Sequence, residues 1–90
     1  MIILMDINNL ISIIKKKISS NILYENIKIE DKSFLHKNHS GNDKSKFHIK
    51  LSIKSQELKK MSRIDSNKKI YQILDNEIKD SIHSLQILIE

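Results

Sequence analysis

Four histidines, His36, His39, His48 and His83, carry the most distinctive chemistry in a chain of 90 residues that has no cysteine. Neutral imidazole is a good ligand for zinc, copper and iron. His36 and His39 stand in one Lys- and Asn-rich stretch, while His83 opens a run of alternating apolar residues. A loop can carry His36 or His39 toward an imidazole held at a strand end, and His83 occupies such a place. Two imidazoles make half of a tetrahedral site. With no thiolate in the chain and no obvious acidic partner, positions stay open, so the chemistry implied is a site shared with another molecule. In isolation, such loop histidines read as ordinary surface residues and His83 as a structural residue at a strand end. His48 alternates with apolar neighbours and is expected to face solvent.

The elements that must position these side chains follow from periodicity. Asp6 is a plausible N-cap, and Ile7, Leu10, Ile11, Ile14 and Ile18 recur at helical spacing behind it. Lys15, Lys16 and Lys17 then crowd the expected last turn, where cations meet the negative end of the helix dipole. Ser19 to Asn21 should stop that helix. A strand is expected from Ile22 to about Asp31, with Ile27 and Ile29 inward. Residues 32–45 hold Gly41, the only glycine, with Asn38, Asn42 and Asp43, and read as a long exposed loop.

Strict alternation returns at Phe47, Ile49, Leu51 and Ile53, with His48, Lys50 and Ser52 on the other face, which predicts a hairpin partner for the first strand. Leu58 to Met61 reads as a bridging turn. Ser62 followed by Asp65 resembles a capping box. From there Ile64, Ile70 or Tyr71, Leu74 and Ile78 predict one long helix, opposite a polar face of Lys68, Lys69, Asp75 and Lys79. After Lys79 the period drops to 2: His83, Leu85, Ile87 and Ile89 alternate with Ser84, Gln86 and Leu88. Helix, strand, strand, helix, strand makes an α+β two-layer sandwich with both helices on one face of the sheet.

Hydrophobic residues at 39% and charged ones at 30% describe one small domain, with a core just large enough to fold without staples. The missing cysteines exclude disulfides and thiolate catalysis. No apolar run approaches the roughly 20 residues that cross a bilayer, and the opening MIILM lacks the basic leader of a secretory signal. A cytoplasmic protein without membrane partner is therefore expected. A net charge of +5 attracts acidic partners, although an AT-biased genome rich in Ile, Asn and Lys codons produces the same balance.

The run NKKIYQILDNEIKD followed by SIHSLQI resembles the BolA-like protein family, in which a helix containing an Arg-His-Arg-x-x-Tyr-like run precedes a strand opening Val-His-Ala-Leu. The counterparts are Asn67, Lys68, Tyr71 and Ile82-His83-Ser84-Leu85. Upstream, DKSFLHKNHSGNDKSKFHIKL is similar to the family's Asp-Glu-Ser-x-x-His loop and His-Phe-Lys-Val strand, so the resemblance covers Ile7 to Ile89. It implies a class II KH-like fold with a three-stranded mixed sheet, the third strand running parallel to a neighbour.

The resemblance also implies a non-catalytic adaptor. Its histidine at the last strand and a His or Cys of the loop would join a monothiol glutaredoxin in holding a shared 2Fe–2S cluster, with thiolates from glutaredoxin and glutathione. His83 corresponds to the strand ligand. The loop ligand is His36 when aligned from Asp31-Lys32-Ser33 and His39 when counted back from His48. The chain departs from the family at Ser66-Asn67-Lys68, in place of Arg-His-Arg, and at Leu58-Lys59-Lys60, in place of a Phe-x-Gly turn. Lysine keeps the charge but not the bidentate fork of arginine, so partner contacts through that helix would be retuned.

A DNA-binding regulator is the competing reading, acting through Lys59, Lys60, Arg63, Lys68 and Lys69, and the family's link to transcriptional regulation points the same way. KH-type nucleic-acid grips use a Gly-x-x-Gly loop, which a chain with Gly41 alone cannot build. An enzyme is not expected, nor a small-molecule substrate. There is no Ser-His-Asp or Cys-His constellation, no phosphate-cradling loop, and no carboxylate pair near a histidine beyond Asp31 and Asp43.

Overall fold

A computed structural model describes residues 6–33 and 46–90. His36, His39, Gly41 and the turn formers Asn38, Asn42 and Asp43 lie outside the described residues.

Helix α1 (Ile7–Asn21) starts where its cap predicts, the Asp6 carboxylate accepting the Asn9 N–H at 2.8 Å. It buries Leu10, Ile14 and Ile18, one residue per turn on a single stripe. The helix runs to Asn21, so Lys15–Lys17 lie a turn before its end and do not serve the C-terminal dipole. Lys17 instead reaches across the molecule to Glu77, with Nζ 2.7 and 2.9 Å from the two carboxylate oxygens. Glu77 is 8% exposed, and this paired cation is what makes its burial tolerable.

Strand β1 (Asn26–Asp31) begins later than its apolar run suggests, because Ile22 is used as the buried cap of α1, its N–H bonded to the Ile18 carbonyl. Strand β2 (Phe47–Lys54) pairs antiparallel with β1, Ile27 opposite Ile53 and Ile29 opposite Leu51. Strand β3 (Ile82–Ile89) pairs with β2 in parallel, giving the order β1-β2-β3 and the mixed three-stranded sheet. Ile49, Leu51 and Ile53 project into one core with Leu10, Ile14, Ile18, Ile70 and Leu74, so the helices cover one sheet face and leave the other without a helical layer.

The β2-to-β3 crossover departs from the single expected helix. The Leu58–Met61 turn belongs to a short helix α2 (Gln56–Lys59), capped by Ser55, whose hydroxyl accepts the Leu58 N–H and donates to the Leu23 carbonyl at 2.6 Å. Helix α3 (Arg63–Ile73) starts at Ser62, which accepts the Asp65 N–H at 3.0 Å. Leu74, at φ −99° and ψ 19°, separates it from α4 (Asp75–Asp80). Helical bonds from the Leu74 N–H to Ile70 and from the Ile78 N–H to Leu74 carry the chain across the break, so the Ile70, Leu74, Ile78 stripe survives. Ile64 does not join it and is 78% exposed, while Tyr71 turns outward to donate its hydroxyl to the Leu85 carbonyl at 3.2 Å.

On the outer sheet face Glu30 accepts Lys32 Nζ at 2.8 Å, with Lys28 at 3.8 Å. That hydrogen bond from Lys32, opposed by desolvation and helped by the charges of Lys28, Lys32 and Lys50, holds its carboxyl below the ordinary 4.5. A depressed carboxylate stabilises the fold above its unfolded pKa and loses that contribution as pH falls through the folded value. Glu30→Gln is therefore expected to melt slightly below the native chain at neutral pH. The gap should close on acidification below about pH 4 in thermal melts followed by far-ultraviolet circular dichroism.

Candidate metal-ligand rim and basic surface

The parallel pairing of β2 and β3 contains one irregularity. Phe47 stands opposite Ile82, but His48 stands opposite Ser84, so His83 is the additional residue of a β-bulge. A bulge breaks the period-2 alternation and re-aims a side chain. Ile82 is buried and Leu85 faces the core, while both His83 and Ser84 between them are exposed. The alternation that groups His83 with Leu85, Ile87 and Ile89 is thus overturned at its first residue, and His83 comes out on the helix-free face.

There it meets His48. The two ring centroids lie 4.8 Å apart, with the planes inclined at 56°. His48 is 5% exposed, which corrects the expectation that it faces solvent. Its phase on β2 is as expected, but the outward face is not bare at this point. Ser84 stands in register beside it and places its hydroxyl 2.6 Å from His48 Nδ1. Sequence reasoning missed this neighbour because only the β2–β3 register brings the two histidines together.

The same corner anchors the segment that carries the loop histidines. The His48 N–H donates to Ser33 Oγ at 3.0 Å, the Lys32 N–H donates to the His48 carbonyl at 2.7 Å, and the Ser33 N–H donates to Asp31 Oδ1 at 2.9 Å. On the returning side the Phe47 N–H donates to the Ser81 carbonyl at 2.9 Å. Both feet of residues 34–45 therefore stand at the end of the sheet where His83 emerges. His36 follows Ser33 by three residues, a span of about 10 Å when extended. Among the described residues no group of three His, Asp or Glu side chains could hold a metal ion.

The cationic side chains lie elsewhere. Lys59, Lys60, Arg63 and Lys68 are exposed along α2 and α3, whereas Lys69 is drawn to Glu57 at 3.1 Å. Leu58, Met61, Arg63, Ser66, Ile87 and Leu88 border an open cleft of about 350 Å³ between these helices and the far end of β3. At about 3.3 Å per residue, His83 and Leu88 stand roughly 16 Å apart along that strand. Of the basic row, Lys59 and Arg63 border the end of that strand opposite His83.

A sequence model described as "BolA-like protein" matches residues 18–90. The chain belongs to the BolA-like family. Among BolA-like relatives, the "DNA-binding transcriptional regulator BolA" of Haemophilus influenzae is 33% identical over 75 residues, spanning 83% of this chain and 70% of that protein. Two solved BolA-like structures from Arabidopsis thaliana share the fold. The BolA domain of SufE1 has a TM-score of 0.73 and 24% identity, covering 96% of this chain and 93% of that one. BolA1 has a TM-score of 0.74 and 23% identity, covering 88% and 87%. The BolA-like fold, with its third strand parallel to the second, is what the pairing of β2 and β3 displays. No helix among the described residues is long and apolar enough to cross a membrane.

Proposed function

We propose that this BolA-like chain is a non-catalytic adaptor that pairs with a monothiol glutaredoxin in iron–sulfur cluster assembly, trafficking or iron signalling. In this reading His83 and one of His36 or His39 are ligands of a shared 2Fe–2S cluster, and sulfur comes from glutaredoxin and glutathione. The observation that carries it is the bulge, which exposes His83 at the sheet end where both feet of residues 34–45 are fastened. The donor set fits half of such a site: the chain offers imidazoles and no thiolate. A cluster held partly by histidine has a raised potential, which suits transfer or sensing. This chain's part is to orient imidazoles on a rim that a partner can cover. In this reading the protein works in the cytoplasm, where glutathione is available and thiols stay reduced.

Titrating the protein into cluster-loaded glutaredoxin should replace the visible circular dichroism of the glutaredoxin complex by a new spectrum that saturates at a fixed ratio. Spectra that remain a simple sum of the components would remove the proposal.

A second reading, DNA binding, is favoured by the exposed row Lys59, Lys60, Arg63 and Lys68 and by the regulator activity named for the Haemophilus relative. Because the row lies away from His83, the two readings are not exclusive. Four phosphate contacts predict a log–log salt slope of about −3 to −4 for duplex binding, reduced by about 1 in Arg63→Ala. No detectable binding at low salt eliminates this reading.

A further inference from the structure

His48 belongs to none of the ligand assignments above, yet it is the ring against which His83 rests. We propose that His48 is a positioning residue, a buried imidazole that sets the orientation of the exposed His83 ring for ligation. The inference rests on His83 being a ligand. An exposed imidazole turns about two side-chain bonds and must be fixed before it can hold a metal, a loss of freedom equivalent to about a two- to tenfold change in affinity per side chain.

His48 is equipped to remove that freedom beforehand. Its backbone is fastened on both sides, the N–H to Ser33 and the carbonyl to Lys32, and it stands on the central strand. Its ring is buried and bonded at Nδ1 to the hydroxyl of Ser84, the residue directly after His83. The bulge thereby does two things with one extra residue. It turns His83 outward, and it brings Ser84 into register with His48, so that the serine orients the ring that in turn orients the ligand. Metal-bound histidines depend on neighbouring groups for their ring orientation, and the neighbour here is a packed ring rather than a hydrogen-bond acceptor.

The geometry is tested first in the protein alone. In nuclear magnetic resonance spectra the His83 ring protons should be displaced by the adjacent ring, and His48→Ala should return them to positions typical of a free histidine. His83 ring protons unaltered by His48→Ala would overturn the proposal, whatever the partner does. Titration into cluster-loaded glutaredoxin is the second reading. His48→Ala should move the midpoint to about three- to tenfold higher protein concentration while reaching the same final spectrum. His48→Phe, which keeps a packed ring but has no ligating nitrogen, and Ser84→Ala, which keeps the imidazole but loses its tether, should each shift it less than about threefold.

If His48→Ala does not fold, His48→Leu, which fills the site but removes the aromatic ring, carries the test, and His83 ring protons unaltered in it would overturn the proposal. If His48→Phe fails as completely as a ligand deletion, His48 is itself a ligand and the positioning role is wrong. A His83→Ala chain that titrates normally would sink the ligand reading instead, and the ring-shift comparison distinguishes that failure from this one.

Discussion

His83→Ala is expected to leave the visible circular dichroism of cluster-loaded glutaredoxin unchanged on mixing, at concentrations where the native chain converts it fully. Ligand bonds to iron are individually strong, and even loss of a group hydrogen-bonded to a ligand changes affinity by about 10- to 100-fold, so loss of the ligand itself should exceed that range. The substitution is also a clean one. His83 is exposed on a bulge, and alanine there should alter stability by no more than about 0.5 kcal/mol, leaving the melting temperature near the native value. A spectrum identical to that of the native mixture would show that His83 is no ligand. His36→Ala and His39→Ala run beside it should divide, one reproducing the loss and the other behaving as native, and that division identifies the loop ligand.

Leu51→Ala should have the largest effect on the fold. Leu51 lies at the centre of the central strand, fully buried, with Ile29 in register on one side and Ile87 on the other. A leucine truncated in such a place costs about 2–5 kcal/mol, because neighbours on two paired strands cannot collapse into the space. A chain of this length has a total stability of roughly 5–13 kcal/mol. The melting temperature should fall by about 10–30 °C, followed by far-ultraviolet circular dichroism. A fall of only a few degrees would mean that the core is not organised around β2. The comparison with His83→Ala separates the two faces of the sheet: the helix-covered face holds the fold, and the helix-free face carries the rim.

Local chemistry made much of the architecture readable. Asp6 and Ser62 mark helix starts because a side-chain oxygen satisfies N–H groups two or three residues away, a relation contained within one turn. Phe47 to Ile53 alternate because a strand has only two faces. The misreadings are those in which a distant partner decides. Lys17 looked like a helix-end charge until Glu77 claimed it from another helix. Ile64 fits the apolar spacing of α3 but is 78% exposed, because the face that α3 buries is the one carrying Ser66 and Ile70. The expected long helix divides at Leu74 without losing its apolar stripe.

The same division runs through the candidate site. By itself the sequence determined which donors exist: imidazoles and no thiolate, His83 at a strand opening, His36 and His39 in a polar loop, and a basic row near α3. Donor type is a property of single residues and needs no fold. Tertiary structure alone decided where the rings go. The direction of His83 depends on one residue of slippage between two parallel strands, and the burial of His48 depends on which residue stands beside it in that register. Such pairing is chosen by the packing of the whole crossover against the sheet, a sum of contacts between residues far apart in the chain, so no periodicity within either strand contains it.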